Sequence, residues 1–388
     1  MKTGWEVKTL NQISENLDNR RVPITKKIRS NGSIPYYGAS GIVDYVEEYI
    51  FDEDLLLVSE DGANLLARTY PIAFSISGKT WVNNHAHVLR FKDKISQRFV
   101  EFYLNSIKLD DFVSGMAQPK LNQTMLNKIP IPFPPISEQK RIVAILDEAF
   151  ESIAKAKENA EKNLKNAKEI FESYLQSVFE NKGDGWEEKK LKEICEIKPP
   201  KSEARNKLKE TDVVSFVPME DLGINQKILI PEKERTLKEV EGSYTYFAND
   251  DVLLAKITPC FENGKLGIAK NLKNGIGFGS SEYLVFRTNK NLFPEYLYYF
   301  LLRPQFIEEG AKRMTGAVGH KRVSKEFIEN SMIALPPLVE QHSIVAKLNA
   351  LSAETKKLEA IYARKLANLE ELKKSILTKA FKGELVNE

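Results

Sequence analysis

Cysteine is scarce in this chain of 388 residues, and its scarcity excludes two kinds of structure. Cys195 and Cys260 lie far apart and form no Cys-x-x-Cys pair, which rules out a disulfide framework and a cysteine-based zinc site. No apolar run approaches the roughly 18 residues of a membrane-spanning helix, and Met1–Leu10 lacks the apolar core of a signal peptide. We therefore expect a cytoplasmic protein with no membrane partner.

Recognisable enzyme motifs are also lacking. The glycine-rich segment Gly275–Gly279 precedes a strand-like run instead of joining a strand to a helix, so a β-turn or bulge is the favoured interpretation. Ser77–Thr80 resembles the end of a phosphate-binding loop, but Ala73 stands where that loop requires a glycine. No Pro-Pro pair has the Asn/Asp-Pro-Pro-aromatic form of an amino-methylating active site. We therefore predict a non-catalytic chain that holds no cofactor.

Neither the potential metal ligands nor the acidic runs indicate a metal site or a nuclease active site. His85 and His87 have the i,i+2 spacing that places two side chains on one face of a strand, but no third ligand lies near them in the sequence. We expect structural or DNA-facing roles for these histidines and no bound metal. The acidic residues around Glu60 and Asp61 lack the pattern of a common nuclease core, so we expect a solvated loop there.

The balance of charge gives only weak guidance about partners. The chain has 57 Lys and Arg residues against 54 Asp and Glu residues, which gives a formal net charge of +3. A polyanion would therefore have to meet local basic patches, because the surface as a whole is not basic.

An internal repeat is the strongest positive signal in the sequence. The segment Gly4–Leu10 recurs as Gly185–Leu191, and Pro134–Gln139 recurs as Pro336–Gln341. An Ile-Val-Ala triplet follows each proline pair at the same distance. Because these matches come in the same order, they indicate a duplication.

Behind each proline pair the apolar pattern changes to the three- and four-residue steps of a helix. The seam residues are Leu146, Ala149, Ile153, Ala156, Ala160, Ala167, Ile170 and Tyr174 in the first copy, and Leu348, Leu351, Thr355, Leu358, Tyr362, Leu369, Leu372 and Ile376 in the second. Neither segment contains Gly or Pro before Gly183 and Gly383, so the pattern predicts two long coiled-coil helices, with Ser137 as an N-cap. Their equal length favours antiparallel pairing within the chain, and dimerisation with a second copy is the alternative.

The segments before the two helices predict mixed globular domains. Short β-type runs such as Leu55–Ser59 and Ala86–Phe91 are matched in the second copy by Val252–Ala255 and Tyr283–Arg287. Turn-forming residues separate these runs, and short helical runs follow them. This mixture indicates the α+β class.

The predicted fold class is therefore α+β, with two globular α/β domains separated by an antiparallel two-helix coiled coil. The predicted boundaries are residues 1–136 and 183–338 for the globular domains and residues 137–182 and 339–388 for the spacer helices. The repeat is circular, because Phe381–Glu388 followed by Met1–Trp5 mirrors the central junction Phe179–Trp186. We therefore expect a pseudo-twofold arrangement.

Two loops at equivalent places in the repeats combine small residues with cations. The first spans Gly115–Gln123 and the second spans Gly316–Val323, and the sequence pairs Lys120 with Lys321. Small residues let the backbone approach a phosphate, cations neutralise the phosphate, and Gln, Asn and Arg can read base edges. The candidate DNA-binding residues of the chain are Arg20, Arg21, Lys26, Lys27, Ser40, Lys79, Asn83, Asn84, Gln118, Lys120, Asn122, Lys256, Lys265, His320, Lys321 and Arg322. For any single one of them, an ordinary polar turn remains the alternative interpretation.

Taken in order, these motifs resemble the specificity subunit of type I restriction-modification enzymes. The resemblance rests on the duplicated Pro-Pro-x-x-Glu-Gln boundary, on Ile376–Leu385, and on Leu253–Cys260 with Glu262–Lys265. It covers essentially the whole chain. It implies two target-recognition domains that each read one half of a split site in double-stranded DNA, and two helical spacers that fix the gap between the halves.

The resemblance also implies the partners of the chain. Two methyltransferase (modification) subunits and the restriction subunits would assemble with it, and those subunits alone would hold S-adenosylmethionine, ATP and magnesium. Glu138, Gln139, Glu340 and Gln341, which belong to the duplicated boundary, are the candidate partner-binding residues. The alternative function is a coiled-coil adaptor that binds only protein, without DNA readout. A single-chain methyltransferase or nuclease is disfavoured by the missing motifs.

Overall fold

The computed structural model describes residues 4–115, 117–317 and 319–385. The chain divides into two compact units: unit 1 comprises Met1–Glu161 with Ala363–Glu388, and unit 2 comprises Lys162–Tyr362. Each unit therefore contains one globular body and a part of each long helix, a division that cuts across the four predicted segments. Among the residues singled out above, Met116, Val318 and the extreme ends of the chain lie outside the described residues.

Unit 1 builds its globular body from short strands and helices. Its strands are β1 (Glu6–Thr9), β2 (Ser14–Asn16), β3 (Ile34–Gly38), β4 (Gly41–Val46), β5 (Phe51–Asp52), β6 (Leu55–Ser59), β7 (Ala73–Ile76), β8 (Lys79–Val82), β9 (Ala86–Phe91) and β10 (Pro130–Phe133). Its helices are α1 (Leu10–Ile13), α2 (Asn64–Ala67), α3 (Lys94–Ser106) and α4 (Gln123–Lys128), followed by the long α5 (Ile136–Glu180). One sheet has the order β2-β9-β6-β7 and another the order β4-β3-β8-β5, while β1 pairs with β10.

Unit 2 is built in the same manner from its own stretch of sequence. Its strands are β11 (Glu187–Lys190), β12 (Cys195–Ile197), β13 (Val213–Val217), β14 (Ile228–Leu229), β15 (Lys233–Thr236), β16 (Thr245–Ala248), β17 (Val252–Ala255), β18 (Leu266–Ala269), β19 (Ile276–Gly279), β20 (Tyr283–Thr288) and β21 (Met332–Leu335). Its helices are α6 (Leu191–Ile194), α7 (Ser202–Lys207), α8 (Leu237–Val240), α9 (Pro294–Leu302), α10 (Pro304–Lys312) and α11 (Lys325–Asn330), followed by the long α12 (Leu338–Lys382). The sheet orders are β12-β20-β17-β18-β14 and β15-β13-β19-β16, and β11 pairs with β21. The predicted α+β class is confirmed.

The central strand of each body lies between two apolar cores. In unit 1, Leu56 and Val58 of β6 belong to the core that contains α3, whereas Leu55 and Leu57 belong to the core on the opposite face. The strand β17 divides its residues between two cores of unit 2 in the same alternation. Because successive side chains of a strand point to opposite faces, a continuous apolar run is what a strand covered on both sides requires.

The glycine-rich segment at the start of β19 departs from the prediction. A turn or bulge was expected over Gly275–Gly279, but Ile276–Gly279 pairs with both β13 and β16 in the middle of a sheet. The reason is close packing, since a Cβ atom on Gly277 would collide with the Phe247 ring and one on Gly279 with the Val217 carbonyl. Glycine is found in a strand where neighbouring groups approach this closely.

The Pro-Pro-x-x-Glu-Gln motif forms the start of each long helix. The helix α5 begins at Ile136, so Ser137 lies inside its first turn and the prediction of an N-cap at Ser137 is wrong. Instead, the Nε2 group of Gln139 donates a hydrogen bond to the Pro134 carbonyl at 2.8 Å, and Gln341 makes the corresponding bond at the start of α12, also at 2.8 Å. These amides tie each helix to the strand that ends just before the prolines.

Both long helices contain 45 residues, and their predicted seam is confirmed only in part. Leu146, Ala160 and Leu348 are fully buried, but Ile170 and Leu372 are 52% and 47% exposed. Near the helix C-termini the buried positions are Leu175 and Phe179 in α5 and Leu377 and Ala380 in α12. A straight α-helix drifts by about 20° per heptad against a 3.5-residue repeat, and these ends pack against globular bodies. Of the described helices, none has an apolar stretch that could cross a membrane.

Within unit 1 the two long helices run antiparallel. The Lys157 ammonium pairs with the Glu370 carboxylate at 2.8 Å, and the Lys373 ammonium lies 5.0 Å from the centroid of the Phe150 ring. Residue numbers therefore fall along α12 as they rise along α5. The predicted antiparallel packing is confirmed in this unit.

Aromatic side chains at the C-terminal ends of the long helices complete the core of each body. In unit 1, the centroid of the Phe381 ring lies 5.3 Å from that of Phe99, in an edge-to-face arrangement. In unit 2, the Phe179 ring lies 4.9 Å from Tyr296 and 5.6 Å from Phe300. Each body is therefore closed by a helix end, which comes from α12 in unit 1 and from α5 in unit 2.

Truncation of this helix-end aromatic residue tests its contribution to unit 2. We predict that Phe179→Ala lowers the local free energy of unfolding by about 3–5 kcal/mol, because it removes a buried ring and leaves a cavity. Hydrogen exchange of the α9 amides measures this change. The control Ile361→Ala, at a position 58% exposed in the same unit, should stay within about 0.5 kcal/mol of the unaltered chain. Equal exchange of the α9 amides in the two variants would show that the Phe179 ring does not stabilise the core of unit 2.

Candidate nucleic-acid interface

The two candidate loops are closed by the same backbone contact. In loop 1 (residues 114–121), Ser114 and Lys120 exchange backbone hydrogen bonds of 2.9 and 2.8 Å. In loop 2 (residues 315–323), Thr315 and Arg322 exchange bonds of 3.1 and 2.9 Å. Lys120 therefore corresponds to Arg322, and the predicted pairing of Lys120 with Lys321 is wrong by one residue. The cause is an additional residue inside loop 2.

Each loop is anchored to the residue that follows the central strand. The Leu121 amide donates to the Glu60 carbonyl at 2.8 Å, and the Val323 amide donates to the Lys256 carbonyl at 2.9 Å. The candidate Asn122 follows loop 1 directly, and its side-chain oxygen caps α4 by accepting the Met125 amide at 3.0 Å. The core strand thus determines where each loop lies.

A glycine makes the tight turn at the start of each loop. Gly115 has a φ of +84°, and a Cβ atom on it would lie 2.6 Å from the Gln118 carbonyl oxygen. Gly316 has a φ of +126°, and its Cβ atom would lie 2.8 Å from the His320 carbonyl oxygen. Side chains are therefore unfavourable at both positions. The candidates Gln118, His320 and Lys321 follow these turns and are exposed.

In unit 1 the base of the loop contains a network of charged side chains. The Glu60 carboxylate contacts Lys120 at 3.1 Å and Arg21 at 2.6 Å, and Arg21 also donates to the Ala86 carbonyl at 2.8 Å. Burial favours the protonated form of Glu60, but the hydrogen bond from Arg21 and the neighbouring positive charges hold its pKa below the ordinary value. Arg21 is only 13% exposed in its side chain, so it serves this network, whereas Lys120 is 53% exposed.

A buried histidine links this network to the loop. His87 faces the Asp18 carboxylate through Nδ1 at 2.6 Å and the Leu121 carbonyl through Nε2 at 2.7 Å. The candidate ligand atoms of Asp18, Glu60 and His87 lie within 4.8 Å of one another, close enough for a metal ion. Arg21 already lies against both carboxylates, at 3.5 and 2.6 Å. We therefore interpret the group as an ion-pair network that holds the loop.

The side chains of the two histidines bond different carboxylates, and the acidic residues beside them do not form a uniformly solvated loop. The strand β9 begins at Ala86, so His85 lies in the preceding turn, where it is exposed and contacts Asp61 at 2.8 Å. His87 lies inside the strand and is 1% exposed. Glu60 is mostly buried, with 11% of its side chain exposed, which corrects the expectation of a solvated loop at that residue.

In unit 2 the corresponding charges are arranged differently. The Arg322 guanidinium binds the Glu282 carboxylate through two hydrogen bonds of 2.9 and 2.7 Å, and these bonds hold the pKa of Glu282 below its ordinary value. Lys256 donates to the Ser281 carbonyl at 2.9 Å, and burial lowers its pKa. Lys265 donates to a backbone carbonyl at 2.8 Å, so this candidate is engaged inside the unit.

Three further candidates of unit 1 lie close to the end of β6. The Ser59 hydroxyl donates to the Ala39 carbonyl at 2.5 Å, which brings the exposed turn of Ser40 to the end of that strand. Asn83 is buried, and its side-chain oxygen accepts the backbone amide two residues further along at 2.8 Å. Asn84 is exposed in the same turn. The structure thus places Ser40, Asn84 and Lys120 near the end of β6.

The remaining candidates belong to other parts of unit 1. Arg20 pairs with Glu53 at 3.2 Å, and the Lys79 ammonium lies 4.8 Å from the centroid of the Tyr49 ring. Lys26 and Lys27 are exposed in a short 3-10 turn. None of these contacts involves loop 1. The DNA-binding role of these four cations therefore stays a prediction, and the geometry of the loop does not support it.

The candidate partner-binding residues differ in accessibility. Gln139 and Gln341 are 1% and 0% exposed and bond the backbone of their own unit, which differs from the prediction that they meet a partner. Glu138 is half-buried and accepts a hydrogen bond from the Trp5 indole at 3.1 Å. Glu340 is exposed. The two glutamates therefore remain the candidates for partner contact.

Sequence reasoning missed the carboxylates that hold the loops. Glu60 directly follows the apolar strand β6, and Glu282 directly precedes β20. The signal that could have identified them is a charged residue directly beside an apolar strand, because a buried strand holds the residue at its end in a defined position. The partners Lys120 and Arg322 lie far away in the sequence, and no spacing rule connects them.

Comparisons with known proteins assign a family to this architecture. The family model for the type I restriction modification DNA specificity domain matches residues 2–164 and 183–365, one segment for each repeat. The chain is 28% identical over 355 residues to a putative type I restriction enzyme specificity subunit of Haemophilus influenzae, S.HindORF215P, across 90% of this chain and 88% of that protein. It is 39% identical over 177 residues to the EcoAI specificity subunit of Escherichia coli, across 45% of this chain but only 29% of that protein.

Solved structures share the fold at low sequence identity. The HsdS subunit from Thermoanaerobacter tengcongensis aligns with a TM-score of 0.57 and 20% identity over 99% of this chain and 98% of that one. A chain from a study of complex assembly and conformational transition in the type I R-M system aligns with a TM-score of 0.70 and 20% identity over 99% of both chains. The predictions of the resemblance and of a non-catalytic recognition subunit are confirmed at the level of the family. The chain belongs to the family of type I restriction-modification DNA specificity subunits.

Proposed function

We propose that each unit reads one half of a bipartite site in double-stranded DNA. The observation that carries this proposal is the repeated loop, which is closed by the same bridge and anchored to the same strand end in both units. The scaffold of the loop is shared, but its side chains differ between the units. A common scaffold with different loop residues suits a site whose two halves have different sequences.

Recognition combines two kinds of contact. Lys120 in unit 1 and Lys321 with Arg322 in unit 2 neutralise backbone phosphates, which position the protein on the duplex. Gln118 and His320 are exposed in the same loops and carry groups that can bond base edges. The chain thus selects the sequence, and the flipping of the target base belongs to a methyltransferase partner.

The partners in this proposal are two methyltransferase subunits and the restriction subunits. The start of each long helix supports docking, because Ile136, Leu338 and Val339 are 53%, 39% and 83% exposed there. Exposed apolar side chains beside Glu138 and Glu340 are suited to a protein partner. S-adenosylmethionine, ATP and magnesium would be held by the partner subunits.

The long helices set the gap between the two half-sites in this proposal. Each contains 45 residues and therefore measures about 68 Å at 1.5 Å per residue. A helix resists changes in its length, so the number of helical residues determines a fixed distance.

Methylation mapping tests the proposal against the rival protein-only adaptor. The chain is expressed with its two methyltransferase subunits, and the modified positions are mapped across a genome. A single motif with two specified blocks and an unspecified gap is expected. Methylation without any bipartite motif, or with a motif that is unchanged when this chain is left out, would favour the adaptor.

The cations of loop 2 should contribute to the salt dependence of DNA binding. We predict that Lys321→Ala with Arg322→Ala weakens binding and lowers the slope of log K against log salt by about 2, roughly 1 for each lost phosphate contact. The control Lys238→Ala with Lys312→Ala removes the same charge from two exposed helical positions of unit 2. A salt slope unaltered by the loop variant would remove loop 2 from the interface.

Helix length should control the gap of the DNA site. Insertion of one heptad at matched positions of α5 and α12 should lengthen the gap by about 10 Å, or roughly 3 base pairs, and leave both half-sites unchanged. Methylation mapping reports both properties at once. A gap of unchanged length in an assembled, active complex would overturn the role of the helices as a ruler.

A further inference from the structure

Three backbone positions meet at the base of each loop, but the two units place different side chains at them. These positions are held by Glu60, His85 and Lys120 in unit 1, and by Lys256, Glu282 and Arg322 in unit 2. Backbone hydrogen bonds fix the correspondence, because the amide of the first position donates to the carbonyl of the second at 2.9 Å in both units. The carboxylate therefore occupies the first position in unit 1 and the second position in unit 2.

One interaction is common to both units despite this difference: a carboxylate contacts the loop cation. Glu60 contacts Lys120 at 3.1 Å, and Glu282 contacts Arg322 at 2.7 Å. The two carboxylate side chains are 11% and 22% exposed, whereas the two cations are 53% and 45% exposed. Each cation is thus bound by a mostly buried carboxylate and is itself exposed to solvent. Because different positions supply the carboxylate, duplication of the chain does not by itself account for the pairing.

The geometry around Arg322 shows what the carboxylate does to the cation. The Nε and Nη2 atoms bind Glu282 as a fork, and Nη1 donates to the His320 carbonyl at 3.0 Å. Three of the five guanidinium hydrogens are therefore committed, and the plane of the group is fixed. The remaining hydrogens, one each on Nη1 and Nη2, have a defined direction.

We propose that Glu60 and Glu282 are positioning residues that orient the loop cations for one half-site each and compete with DNA phosphates for them. This inference rests on the proposed reading of a bipartite site. A phosphate of random DNA can bind the cation only after the cation has left its carboxylate. A half-site that matches the orientation in which the carboxylate holds the cation binds it while the ion pair stays intact. The carboxylates therefore weaken binding to random DNA more than binding to the correct half-site, and this difference increases specificity.

The test uses Glu282→Gln in the full chain assembled with its two methyltransferase subunits. The substitution keeps the shape of the side chain and removes its charge. Dissociation constants are measured for the mapped site, for sites with one base pair changed in either half, and for random duplex. We expect affinity for random duplex to rise several-fold and affinity for the mapped site to change little, so discrimination in the half read by unit 2 should fall by the same several-fold factor. Discrimination in the other half should not change.

Two further variants separate positioning from charge and from folding. Glu308→Gln makes the same charge change on the exposed face of α10, where the carboxylate pairs with Lys312, and it should leave discrimination intact. Glu282→Asp keeps the charge on a shorter side chain and should recover part of the discrimination. If the glutamine variant fails to assemble, the aspartate variant is measured in its place.

Particular outcomes would overturn the inference. It is wrong if Glu282→Gln behaves as Glu308→Gln does, or if it weakens binding to all the duplexes by the same factor. A complex with the unaltered chain that prefers no bipartite site refutes the proposed function, and the inference falls with it. A preference kept equally by the unaltered chain and the Glu282→Gln variant refutes the inference alone.

Discussion

The burial of the central strand on both faces is the constraint on which each unit depends. A shift of β6 or β17 by one residue would exchange the side chains of the two cores, so the register of these strands is strongly specified. The residue that follows each strand, Glu60 or Lys256, is thereby held in place. Since the carbonyl of that residue accepts the loop amide, the position of a polar surface loop follows from the packing of apolar side chains.

Much of the architecture could be predicted from the sequence because its signals are local. The apolar run of β6 and the spacing of apolar residues after Pro135 identify a buried strand and a long helix without knowledge of their neighbours. The strand at Gly277 could not be identified in this way, because it depends on the Phe247 ring that covers it. The helix start was misassigned for a similar reason, since Gln139 acts there through a hydrogen bond to the preceding strand end.

The candidate site was predictable in its location but not in its chemistry. Glycines and cations in sequence identified both loops, yet the sequence did not reveal that Arg21 is committed to Glu60 or that Lys120 corresponds to Arg322. Those facts depend on contacts between residues that are distant along the chain. Cations are conspicuous in a sequence, while the carboxylates that restrain them become evident only after folding.

The closure of unit 1 by Phe381 has a consequence for the synthesis of the chain on the ribosome. The core that contains Trp5 also contains Leu377 and Ala380 from α12. Although the strands of unit 1 are translated before those of unit 2, the core of unit 1 is therefore complete only after α12 has been translated. A chain that stops before Leu377 would lose part of the core of unit 1 and leave the aromatic closure of unit 2 by Phe179 intact.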